Sequence, residues 1–78
     1  MNKVEFINEF EENVVFVEVG SLNVESILAD IEEWDSMATV ATIALIDEHF
    51  DITLKAEKLT SCLTLGDIIA LIQHKLEG

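Results

Sequence analysis

Apolar residues in the first part of the chain fall at Val4, Phe6, Ile7 and Phe10, with Glu5, Glu9, Glu11 and Glu12 largely between them. Spacing of three and four predicts a helix from about Asn2 to Asn13, with one apolar stripe and a solvated acidic face. The next run, Val14 to Val19, is rich in β-branched residues, yet a lone strand has nothing evident to pair with. It is expected to continue the helix in part or to lie extended on the core. Gly20-Ser21 breaks the pattern, and Leu22 to Glu33 carries Leu22, Ile27, Leu28 and Ile31 without a sustained period, which reads as a long loop with room for one short helical turn. From Ser36 to Phe50 the period is again helical, and Thr39, Ile43, Ile46 and Phe50 form a stripe expected to face the core. Met37, Val40, Ala41, Ala44 and Leu45 cannot all join it, so a second, partly exposed apolar face is expected. An exposed apolar strip beside acidic residues is a binding-surface signature.

Asp51 to Lys55 reads as a turn, Ala56 to about Cys62 as a short third helix, and Thr64 as the N-cap of the last. That helix carries Leu65, Ile68, Ile69, Leu71, Ile72 and Leu76, with Lys75 near its C-terminus and Gly78 at its end. The expected fold is all-α, a small bundle of three main helices plus one short helix.

Length and charge narrow the functional classes. The sequence has 78 residues, enough to bury only about 60% of the unfolded surface, so a single domain over 1–78 is expected. With one Trp, four Phe and no Tyr, its core must be mostly Ile, Leu and Val. Sixteen Asp and Glu against four Lys give a net charge of −12, which repels phosphate backbones and anionic membrane surfaces and favours partners with basic docking sites. Neither nucleic acid nor membrane is an expected partner, and a monomer is the default for so charged a domain. The N-terminus lacks the basic start and apolar stretch of a signal peptide, and no run approaches a membrane span. A single cysteine, Cys62, leaves no internal disulfide framework, and it reads as a small core residue and not as a reactive thiol. A cytoplasmic setting follows as the expectation.

The candidate chemistry sits where the acidic run Asp30, Glu32, Glu33, Asp35 meets the helix beginning at Ser36. Asp35 is a good N-cap, and Ser36 then stands on a first helical turn, whose free N–H groups and dipole favour an anion such as a phosphate attached to the hydroxyl. Trp34, just before, is expected to pack over the loop and brace the serine or to meet a partner. A catalytic Ser36–His49 pair is excluded, because thirteen residues along one helix separate them by roughly 20 Å. His74 has no supporting motif, and the histidines and carboxylates match neither zinc nor EF-hand spacing, so neither an enzyme nor a metal site is expected.

Asp35-Ser36-Met37, within an amphipathic first segment, a long loop, a helix ending Asp47-Glu48-His49-Phe50, a short break and a last apolar helix, resembles the acyl carrier proteins. In that family the motif reads Asp-Ser-Leu, and the resemblance covers nearly all of the chain. It implies that Ser36 is the attachment point of a phosphopantetheine arm taken from coenzyme A by a phosphopantetheinyl transferase. The arm's thiol would hold acyl intermediates as thioesters, with an acyl ligase or acyltransferase and other pathway enzymes as further partners. It also implies that Met37, Val40, Ala44, Asp47 and Glu48 face partners, and that an acyl chain can fold back among residues such as Ile43, Ile46 and Phe50.

Several positions depart from the fatty acid pattern. Ala38 and Ala41 stand where carboxylates are usual, Trp34 where a small residue is common, and Glu33 where a glycine is common. A specialised pathway is the expectation, with polyketide, modified lipid, surface polysaccharide and aminoacyl transfer left open. Two other readings stand beside the carrier: an unmodified helical adaptor binding through the Met37-Val40-Ala44 face, and an acidic mimic that occupies a nucleic-acid-binding protein.

Overall fold

The computed structural model describes residues 1–76; Gly78, expected to end the last helix, lies outside them. Among the described residues the chain forms four α-helices, α1 (Lys3–Asn13), α2 (Ser36–Phe50), α3 (Ala56–Thr60) and α4 (Leu65–Ile72), with 3₁₀ turns at Leu28–Asp30 and Gln73–Lys75. This is the expected bundle of three main helices and one short one. α3 stops two residues sooner than the sequence pattern suggests, which leaves Cys62 outside it.

Each main helix begins where a short polar side chain can take up free N–H groups. Asn2 and Thr64 form reciprocal capping boxes with Glu5 and Asp67, while Asp35 caps α2. α2 ends at Asp51, whose left-handed backbone (φ 56°, ψ 40°) lets its N–H return to the Asp47 carbonyl and turns the chain away. The core lies between α1, α2 and α4 and is filled by Phe6, Phe10, Ile46, Leu65, Ile68 and Ile72, with Leu28 and Leu59 closing its sides. Aromatic rings on α1 brace both ends of α2. Phe6 meets Phe50 at 6.1 Å between centroids, and Phe10 meets Trp34 at 5.9 Å.

Four packing expectations change. Val4 is exposed, because it lies well around α1 from the Phe6–Phe10 direction that meets the core. On α2 the core side is Ala38, Thr39, Thr42, Leu45, Ile46 and Phe50, with Ile43 only half-buried. Thr42, outside the expected stripe, is buried as well: its hydroxyl donates to the Ala38 carbonyl at 2.8 Å and leaves the methyl free to pack. Leu45, expected on the exposed face, is therefore buried beside it.

The largest change is Glu11, expected on the solvated face of α1. Its side chain is fully buried, and its carboxylate accepts the N–H groups of Gly20 (3.0 and 3.1 Å) and Leu22 (2.7 Å). A buried carboxylate is tolerable only when hydrogen-bonded in this way. The result is a clamp that folds the Val14–Val19 segment back against α1: Val14 and Val15 enter the core, and the Val17 N–H donates to the Glu11 carbonyl at 2.8 Å.

The long loop is fixed at its far end as well. An isolated antiparallel bridge joins Ile27 to Thr64, Leu28 N–H donates to the Leu63 carbonyl at 2.9 Å, and Gly66 N–H donates to the Val24 carbonyl at 2.9 Å. A Cβ at Gly66 would stand 2.7 Å from that same carbonyl oxygen, so only glycine permits the approach. The segment that leads into Ser36 is thus tied to α1 at one end and α4 at the other.

Candidate functional site

The site is the start of α2. Asp35 is extended (φ −145°, ψ −168°), and its Oδ1 accepts the Ala38 N–H at 2.9 Å. Its carbonyl accepts both the N–H and the hydroxyl of Thr39, each at 3.0 Å. These bonds fix where the helix begins, and they leave Ser36 as its first residue, exposed to solvent. The N–H groups of a first turn precede the helical ladder and carry the positive end of its dipole. A hydroxyl placed there can be phosphorylated or esterified without burying the new anion.

Trp34 holds this start in place. The ring is half-buried against Phe10, and its backbone N–H donates to the Ile31 carbonyl at 3.0 Å, following the 3₁₀ turn at Leu28–Asp30. Packing is therefore what this residue does here. Asp30, Glu32, Glu33 and Asp35 are all exposed around the serine.

Along α2, Met37 (75% exposed) and Val40 (62% exposed) stand open to solvent, and Ala44, Asp47 and Glu48 are exposed on the same flank. Five residues singled out from the sequence thus share one accessible surface next to Ser36. His49 lies at the far end of the helix, in ring contact with Phe50 at 6.5 Å between centroids.

Two open grooves lie between α1 and α2. The first, of about 270 Å³, opens beside the serine and is lined by apolar Val14, Phe16, Met37, Ala38 and Ala41 together with Asn13, Glu33 and Asp35. A second, of about 390 Å³, continues toward Ala44, Leu45 and Glu48. Ile46 and Phe50 lie in the core between the helices, with Ile43 packed against it.

Phe16 is the residue the sequence did not single out. It forms a wall of the first groove, is 76% exposed, and holds a left-handed backbone (φ 56°) that is uncommon for a bulky aromatic side chain. Within the run Val14-Val15-Phe16-Val17 it looked like one more core residue, and nothing in the pattern separates it from its neighbours. Ala38 and Ala41, singled out from the sequence, also line this groove.

Away from α2, Cys62 is half-buried, its thiol donates to the Lys58 carbonyl at 3.2 Å, and burial, with the nearby Asp67 carboxylate, pushes its pKa up. A thiol held protonated in this way is a poor nucleophile. Among the described residues no cluster of three or more His, Cys, Asp or Glu could hold a metal, and no helix is long and apolar enough to cross a membrane.

No protein-family model matches the sequence, and no curated protein matches it. Solved structures do. The chain is similar to the holo acyl carrier protein of Nitrosomonas europaea (28% identity, 96% of each chain, TM-score 0.72). It is also similar to the holo acyl carrier protein of Geobacter metallireducens (23% identity, 96% of this chain and 86% of that one, TM-score 0.73). The fold is that of these acyl carrier proteins.

Proposed function

We propose that this chain is an acyl carrier protein that holds acyl or related intermediates as thioesters on a phosphopantetheine arm attached to Ser36. The observation that carries the reading is an exposed serine on the first turn of α2, fixed there by the Asp35 cap, in a fold shared with two carriers described as holo forms. Helix polarity at that turn suits the phosphodiester.

In the loading step the Ser36 hydroxyl oxygen attacks the pyrophosphate phosphorus that bears the pantetheine. A new O–P bond forms, the pyrophosphate P–O bond breaks, the adenosine bisphosphate leaves, and the serine proton passes to the transferase or solvent. Ser36 is the substrate of that reaction, and its partner supplies magnesium and catalysis. The bound arm supplies the thiol that carries cargo. Tethering then presents this cargo to successive active sites at high effective concentration.

The proposed partners are the transferase, an acyl ligase or acyltransferase, and further enzymes of a specialised biosynthetic pathway in the cytoplasm. They meet the Met37, Val40 and Ala44 surface, with Asp47 and Glu48 facing their basic residues. Burial of Cys62 and the direction of its pKa support the arm's thiol as the cargo carrier.

The test is the intact mass of the protein before and after incubation with coenzyme A, magnesium and a promiscuous phosphopantetheinyl transferase. Wild type is expected to gain one phosphopantetheine and Ser36→Ala none. No gain by folded wild type, beside an active control carrier, would overturn the loading reading in favour of an unmodified adaptor.

A further inference from the structure

We propose, on the reading that Ser36 carries a pantetheine arm, that the two grooves between α1 and α2 form one track in which the unloaded arm rests between encounters with partners.

Both grooves are lined by Asn13, Val14 and Ala41, so they meet partway along the helix. The track starts beside the serine, at Asp35, Met37 and Ala38, and ends at Glu9, Glu48 and His49. The short side chains of Ala41 and Ala44 leave this space open, about 270 Å³ in the first groove and about 390 Å³ in the second.

Length decides which occupant can use it. Ala44 stands eight residues beyond Ser36 and Glu48 twelve, roughly 12 and 18 Å along the helix axis. From phosphorus to sulfur a pantetheine arm extends roughly 15 Å by standard bond lengths. Its thiol therefore falls between those two residues, at the level of the second groove.

Chemistry runs in the same order as length. Next to its phosphate the arm carries a carbon with two methyl groups, and the first groove offers Val14, Met37, Ala38 and Ala41 to it. The arm's two amides come later, where Asn13, Glu9 and Glu48 add polar side chains. Carboxylates accept amide N–H groups, and Asn13, which already donates to Glu9 at 2.7 Å, keeps its carbonyl oxygen as a further acceptor. Glu33 and Asp35, at the start, repel the phosphodiester and leave it in solvent. Beyond the phosphate the arm is uncharged, so the net charge of −12 does not oppose its docking.

This track is distinct from the interior. Ile43, two residues from both Ala41 and Leu45, lies about 200° around α2 from each. Ile46 and Phe50 belong to the core.

The test loads isotope-labelled protein from unlabelled coenzyme A, confirms one added arm by intact mass, and records arm-to-protein proton contacts by isotope-filtered NMR. Contacts are expected from the paired methyl groups to Val14 and Ala41, and from the later methylenes to Ala44 and Glu48. Ala41→Leu with Ala44→Leu fills the track from two positions that are not fully buried, and it should load normally yet lose the contact to Val14. A Val14 contact undiminished in that variant would overturn the proposal; if the variant does not fold, the wild-type contacts decide alone. Contacts to Ile43, Ile46 or Phe50 in their place would overturn it by putting the arm in the interior. Arm resonances like those of free pantetheine, without contacts, would overturn it by leaving the arm in solvent. In each of these cases the added mass leaves the attachment at Ser36 standing. No added mass on folded protein, beside an active control carrier, overturns the attachment and the track together.

Discussion

A single carboxylate decides how the chain after α1 is folded. Glu11 is wholly buried, and it takes the N–H groups of Gly20 and Leu22 that would otherwise be unsatisfied at the start of the loop. Glu11→Gln keeps the shape but loses the charge and replaces one acceptor with an amide that faces donors. The expected loss is about 2 kcal/mol, read as a lower urea midpoint with an unchanged slope. A midpoint equal to wild type would show that the loop can find other partners. Nothing in the sequence separated Glu11 from Glu9 and Glu12. All three fit the polar part of a helical period, and only the later loop, by returning its N–H groups to one of them, gives that one a different environment. Asp35 was legible for the opposite reason: its partner, the Ala38 N–H, is three residues away on the same helix. Local hydrogen bonds are written in the spacing of residues, whereas distant ones are not.

At the scale of elements, the bundle depends on caps and on a loop stitched to α4. Asp67 accepts the N–H groups of Leu63 and Thr64 at 2.9 and 3.1 Å, and these bonds hold its pKa below the ordinary aspartate value of 3.8. A carboxylate with a depressed folded pKa stabilises the protein above its unfolded value, and that contribution is lost as pH falls through the lower, folded one. Asp67→Asn is therefore expected to lower stability at neutral pH and to narrow its gap to wild type in acid below 3.8, measured by thermal unfolding across that range. A gap independent of pH would assign the effect to lost packing. Helix positions were readable because caps and period are local signals. The inward face of α2 was only half readable, because Thr42 reaches the core by spending its hydroxyl on its own helix, and this displaces the stripe from Ile43 toward Leu45. Phe16 was not readable at all, since its outward turn rests on a backbone angle that no residue type in the run announces.

For the molecule as a whole, the net charge of −12 sets how it meets other proteins. Asp47→Lys with Glu48→Lys moves that charge by four, to −8, at two exposed positions outside the core. Encounter with a basic transferase should slow at low salt and its salt dependence should flatten, with the helical signal retained. Unchanged low-salt kinetics would mean that these carboxylates are merely solvated. Observing such encounters needs no attached dye. The chain has one tryptophan and no tyrosine, and Trp34 is half-buried against Phe10 immediately before the capped serine. Its emission therefore comes from a single place, the joint between loop and helix. Anything that loads the serine, occupies the adjoining groove or loosens the Glu11 clamp changes the polarity around one indole, so the protein carries its own optical reporter at the point where its work is proposed to be done.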